Sequence, residues 1–128
     1  MIYWAPLLHF YQPSIQLYSV LDKVVQESYR PLIEVFRQPP QARVTVNING
    51  ALTELLWETG HADVIEGLKG LAAKKQIEFT GSGKYHPILP LLPHEERIRQ
   101  IRRNHLTNRH FFGEVYAPRG FFPPEMAF

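Results

Sequence analysis

The chain has 128 residues, with 14 lysines and arginines against 12 aspartates and glutamates, six histidines and no cysteine. A net charge of +2 with 45% hydrophobic residues describes one globular domain, able to bury roughly two-thirds of its extended surface and too weakly basic to suggest a nucleic-acid partner. The lack of cysteine excludes disulfides, a thiolate nucleophile and cysteine-bound metal centres, and apolar stretches of only a few residues exclude a membrane-spanning helix.

In chain order, strand alternates with helix. The opening Met1-Ile2-Tyr3-Trp4-Ala5-Pro6 lacks a basic segment followed by an apolar one, so no secretory signal is read and a cytoplasmic location is expected. Residues 2–9 read as a strand closed by Tyr11-Gln12-Pro13-Ser14. Residues 15–36 carry apolar side chains at helical spacing, with Pro31 expected to split them into two helices and Pro39-Pro40 to end the second. Residues 44–48 are a β-branched second strand ending at Asn49-Gly50. Helices over 51–59 and 62–75 follow, then a short third strand over 77–80 running into Gly81-Ser82-Gly83. A proline-studded loop from 85 to 93 precedes the longest helix, residues 94–112. Its Glu95 and Glu96 suit a helix start, and Ile98, Ile101, His105 and Phe112 are expected to line its buried side. Gly120-Phe121-Phe122 reads as a fourth strand before Pro123-Pro124-Glu125. The eleven prolines, about 9% against roughly 5% on average, gather with the glycines near the strand ends.

Crossovers of this length imply a parallel sheet, and function on such sheets collects at the carboxyl ends of the strands. Those ends bear His9 to Pro13, Asn47 to Gly50, Thr80 to Pro87, and Phe122 to Glu125. A carboxylate after an apolar strand can act as nucleophile, base or metal ligand; otherwise Glu125 is a loop residue paired with a cation such as Arg119. His9 and Gln12 can hydrogen-bond a polyhydroxylated ligand, with Phe10 or Tyr11 as a stacking face. Tyr85 and His86 either face the same place or cap the proline loop. Asn47 and Asn49 read as turn formers, and Trp4 and Trp57 as core. No metal site is expected: His105 and His110 are five apart on a helix, Asp22 and Asp63 fall within helices, and His9 with His86 leaves a zinc site short of ligands. No nucleophile elbow, phosphate loop or dinucleotide fingerprint is present, so no cofactor is expected. Gly81-Ser82-Gly83-Lys84 lacks the spacing of a phosphate loop, and Arg97, Arg99, Arg102 and Arg103 read as a solvated helix face.

Three motifs in order resemble the start of a family 57 glycoside hydrolase: His9-Phe10-Tyr11-Gln12-Pro13, Ile77-Glu78-Phe79 through Tyr85-His86-Pro87 to Pro93, and Gly120-Phe121-Phe122-Pro123-Pro124-Glu125. The resemblance implies an α/β fold, a seven-stranded (β/α) barrel of the glycoside hydrolase and deacetylase type, with residues 1–128 forming roughly its first half. It further implies metal-free, retaining action on α-linked glucans. By resemblance Glu125 is the nucleophile, Phe122 holds an aromatic position beside the sugar, His9 contacts the sugar at the scissile bond, and Gln12, Tyr85 and His86 line the pocket.

A retaining site needs a second carboxyl group about 5–5.5 Å from the first. The family's acid/base is an aspartate on a later strand, and neither Asp22 nor Asp63 lies at a strand end; Glu54 and Glu78 are the only other acids near the sheet. The sequence therefore reads as part of a larger enzyme, truncated or split, inactive by itself. An uncovered sheet edge would invite self-association. The alternatives are a non-catalytic carbohydrate-binding fragment and a metal-dependent, deacetylase-like hydrolase.

Overall fold

In the computed structural model every residue but Met1 and Tyr3 is described. Four strands, β1 (Leu7–Phe10), β2 (Val44–Ile48), β3 (Ile77–Gly81) and β4 (Gly120–Phe121), form one parallel sheet in the order β1-β2-β3-β4. Between them lie α1 (Tyr18–Val24) and α2 (Arg30–Arg37), then α3 (Gly50–Glu58) and α4 (Ala62–Ala73), then α5 (His94–Phe112). Strand order follows chain order without reversal. Right-handed crossovers in such a sheet carry every connecting helix to the same face.

The strands show this two-faced burial. Val44, Val46 and Ile48 of β2, with Phe10, Ile77 and Phe79 from its neighbours, pack with Leu21, Val25, Ile33, Leu52, Leu56, Ile65 and Leu68 from the helices in one core. Each fully buried aliphatic or aromatic side chain there contributes about 1.5–3 kcal/mol. The alternate residues His9, Asn47 and Thr80 point to the face without helices. They lie on one row, because His9 pairs with Asn47 and the Val46–Phe79 pair of the next register brings Asn47 beside Thr80.

Several local expectations change. The first strand begins at Leu7 and not at Ile2, and the last ends at Phe121 and not at Phe122; the part of the expected first strand at residue 3 lies outside the described residues. Pro31 widens its helix instead of splitting it. Residues 18–37 form one helical run in which Val25–Tyr29 is a π turn, and the Arg30 N–H reaches back five residues to the Val25 carbonyl. Proline has no N–H to donate and crowds the preceding turn, so a one-residue expansion spares the helix a break. Trp4 is 88% exposed and Trp57 54% exposed, so neither belongs to the core; Trp57 leans on Phe111 at the surface, ring centroids 5.6 Å apart.

The largest departure is α5. Ile98, Ile101 and His105 are exposed, and of the four residues expected inside only Phe112 is buried. The inward residues are Gln100, Asn104, Asn108 and Phe112, one stripe at a spacing of four. Their amides satisfy backbone groups where strands end. Asn108 donates to the Ile48 carbonyl at 2.9 Å and accepts from the Thr53 hydroxyl at 2.7 Å. Asn104 accepts from the Gly50 N–H at 2.8 Å and donates to the Tyr116 hydroxyl at 3.1 Å. Gln100 accepts the Tyr85 N–H on its side chain and the Lys84 N–H on its carbonyl, both at 3.2 Å. Buried loop amides must find partners, and α5 supplies them. The approach is close enough that a Cβ at Gly50 would meet the Thr107 Cβ at 3.0 Å.

Candidate active site

At the carboxyl ends of the strands a polar chain runs along the helix-free face. Thr80 Oγ1 accepts from Asn47 Nδ2 at 2.9 Å, Asn47 Oδ1 meets His9 Nδ1 at 2.7 Å, and His9 Nε2 lies 3.1 Å from His86 Nε2. His86 Nδ1 in turn faces Glu125 Oε1 at 3.6 Å. The His86 side chain is 4% exposed and that of Glu125 is 67% exposed, so the chain leads from buried sheet to an open carboxylate.

Aromatic rings hold this chain in place. Tyr11 stacks on His86 with centroids 4.1 Å apart, and Phe122 lies against His9 at 5.3 Å. Burial, reinforced by the neighbouring His9, pushes the His86 pKa below its ordinary 6.5, with Glu125 pulling the other way. His86 and Glu125 both adopt left-handed backbone, φ 55° and 56°, a conformation that costs non-glycine residues about 1–2 kcal/mol each and that collects at functional sites. The turn carrying Glu125 is set by Pro123 and Pro124, and the Met126 N–H closes it on the Pro123 carbonyl at 2.9 Å. At the other loop a Cβ on Gly83 would strike Pro87 Cδ at 2.9 Å, so glycine is what lets the chain fold tightly enough to aim His86 inward.

Two hollows adjoin the chain. A cleft of about 260 Å³ is lined by Tyr11, Gln12, Asn49 and Tyr85. An apolar trough of about 660 Å³ is lined by Leu89, Phe121, Phe122, Met126 and Phe128. The structure thus gathers Glu125, His9, His86 and Phe122 at one point and sets Gln12 and Tyr85 in the adjoining cleft. Gln12 accepts from the Gln16 amide at 2.8 Å, and Tyr85 is half-exposed beside the Lys84 ammonium, 5.4 Å from the ring centre.

Asn49, expected in a turn, is instead the N-cap of α3, its side chain accepting the Leu52 N–H at 3.1 Å. Asn47 is not in a turn either: it is a buried strand residue at the centre of the polar chain. Strand periodicity could have found it, since His9 and Asn47 both sit two residues or fewer from a strand end on the face opposite the apolar alternation. Glu125 faces His86, not Arg119. Glu54 is tied to Lys84 Nζ at 2.7 Å, and Glu78 lines a hollow with Trp4, Pro6 and Arg43 beside the amino ends of the strands. Asp63 is bound by Arg30, and Asp22 lies 3.7 Å from His61. Among the described residues no group of three His, Asp or Glu side chains is gathered so as to hold a metal ion, and no helix is long and apolar enough to cross a membrane.

Residues 5–128 match the family model of Glycosyl hydrolase family 57. The chain belongs to that family. It is 34% identical over 125 residues to alpha-amylase 1 of Dictyoglomus thermophilum, covering 97% of this chain and 18% of that one. It is 32% identical over 94 residues to the 4-alpha-glucanotransferase of Thermococcus litoralis, covering 73% of this chain and 14% of the relative. The crystal structure of the Thermococcus litoralis 4-alpha-glucanotransferase superposes with a TM-score of 0.86 at 29% identity, over 94% of this chain and 19% of the other. A family 57 branching enzyme from Thermococcus kodakaraensis shares the fold with a TM-score of 0.76 at 19% identity, over 94% of this chain and 32% of the other. The chain therefore spans less than a fifth of the curated relatives it matches.

Proposed function

We propose that residues 1–128 form the nucleophile-bearing part of a retaining site that hydrolyses or transfers α-linked glucans, with Glu125 as the nucleophile. The observation that carries this reading is the placement of Glu125: an open carboxylate in a left-handed turn, facing His86 and through it His9. A nucleophile has to be exposed to its substrate yet held still. The proline-locked turn restricts Glu125, and the surface around it offers what a sugar ring needs, apolar rings for its faces and polar groups for its hydroxyls. Phe122 and Tyr11 are the stacking candidates; His9, Gln12 and Tyr85 are the hydrogen-bonding ones.

The proton donor comes from elsewhere. Retention requires a second carboxyl about 5–5.5 Å from the first. Glu54 is paired with Lys84, Glu78 lines a hollow at the amino ends of the strands, and Asp22 and Asp63 sit beside His61 and Arg30. We assign the acid/base to a residue outside 1–128, in the part of the fold for which the relatives have most of their length. The same reasoning extends the sheet. Four singly wound parallel strands with a polar, functional helix-free face are the arc of a closing barrel, for which we propose seven strands.

A chimera tests this directly. Residues 5–128 replace the matched segment of the Thermococcus litoralis 4-alpha-glucanotransferase, and turnover of maltooligosaccharides is followed with and without Glu125→Gln. The active chimera is expected to lose on the order of 10⁴-fold or more in kcat on that substitution while still binding the sugar. Turnover undiminished in the Glu125→Gln chimera would contradict the assignment, and would favour a binding role for this half of the site.

A further inference from the structure

The hydrogen-bond chain through β1, β2 and the His86 loop fixes where protons sit. Asn47 Nδ2 donates to Thr80 Oγ1, so its Oδ1 is the atom presented to His9 Nδ1 at 2.7 Å. An amide oxygen only accepts, and His9 must therefore carry a hydrogen on Nδ1. When His9 is neutral its Nε2 is bare. The atom 3.1 Å away, His86 Nε2, can then approach so closely only as a donor. With Nε2–H in place, neutral His86 has one open nitrogen, Nδ1, and it faces Glu125 Oε1.

From this we infer that Asn47 is a positioning residue that sets the tautomers of both histidines, leaving His86 Nδ1, opposite the Glu125 carboxylate, as the one place where the pair takes up a proton. The inference rests on the proposed role of Glu125 for its consequence only: a proton gained from solvent at His86 Nδ1 places a positive charge beside the carboxylate proposed as nucleophile, 3.6 Å away. The titratable groups that face His86 are His9, Glu125 and the Tyr11 phenol stacked on its ring. A second proton on His9 Nε2 would set two N–H groups head to head at 3.1 Å, so the pair accepts one proton and resists the next. Burial of Asn47 and its place on the row of His9 and Thr80 make the arrangement a property of the strand register, one that no slip of a single residue would keep.

The test is nitrogen NMR of the 128-residue chain labelled with ¹⁵N at histidine, read above the histidine titration range, with His9→Gln and His86→Asn used to assign the signals. His9 is expected to show a protonated Nδ1 and a bare Nε2, and His86 a protonated Nε2 and a bare Nδ1. On acidification the His86 Nδ1 signal should change first, and Glu125→Gln should move that change to lower pH. Asn47→Asp keeps an acceptor and should keep the His9 pattern; Asn47→Leu should release it, moving both His9 nitrogens towards averaged shifts. A wild-type His9 with a bare Nδ1 and a protonated Nε2 would overturn the inference whatever the variants do, as would an unchanged His9 in a folded Asn47→Leu chain. No sugar enters the measurement. Failure of the nucleophile assignment would thus leave it standing, and its own failure would leave the chimera result untouched.

Discussion

The ends of β2 and β4 are neighbours of the same site built in opposite ways. β2 has five residues, four of them buried, with Asn47 and Asn49 fully enclosed and the α5 amides holding its exit at Ile48 and Gly50. β4 has two residues, both exposed, and its exit is held by prolines and a left-handed turn at Glu125. His9 and Asn47 thus stand on or beside hydrogen-bonded core, while the Glu125 carboxylate, the proposed nucleophile, stands on a rim with few supports. Opening free energies differ in the same sense across a fold: core strands unfold with the whole domain, edges locally.

Breaking the β2 side should cost most. Asn108→Ala removes the donor to the buried Ile48 carbonyl and the shorter of the two acceptors of Thr53 Oγ1, which keeps only the Asn49 carbonyl at 3.3 Å; urea unfolding should show a loss of about 2–3 kcal/mol. On the β4 side the sign reverses. Glu125→Gly relieves the left-handed backbone and should raise stability by up to about 1 kcal/mol while abolishing turnover in the chimera. Phe121→Ala removes a ring that is already half-exposed, and its cost in the same unfolding assay should stay near 0.5 kcal/mol.

The gentlest contrast is in pH. His86 has its pKa pushed below 6.5 by burial and by His9. As pH falls through about 6.5 the unfolded chain binds a proton that the native state still refuses, so stability declines across that window and levels off below the native value. His86→Asn, whose side chain tolerates left-handed backbone, should flatten this slope in urea midpoints measured on either side of the window. A slope unchanged in that variant would place the titration elsewhere.

Much of the fold could be read from residue patterns, because β-branched strands and apolar helical spacing report the apolar core directly. Val44 to Ile48 and the whole of α5 fall where their patterns place them. The facing of α5 could not be read that way. A reader who follows hydrophobic residues turns Ile98 and Ile101 inward, whereas the helix is rotated by its obligations to strand-end amides. Gln100, Asn104 and Asn108 repeat at four residues like a core stripe, and only their polarity hides it. Pro31 was visible as a disturbance but not as a π turn, since sequence records the missing N–H and not how the helix absorbs it. Motif order drew attention to His9, His86, Phe122 and Glu125. Asn47 escaped because asparagine after a β-branched residue is a turn signal in isolation, and only strand register shows that it faces His9.

The central proposal is that a carboxylate oxygen of Glu125 bonds to the sugar. The most direct measurement incubates the active chimera with a fluorinated α-glucosyl fluoride that slows the second step of a retaining reaction, then locates the adduct by peptide mass spectrometry. One added glucosyl mass on the peptide containing Glu125, absent from the Glu125→Gln chimera, is the predicted result; an adduct on a different side chain would contradict it.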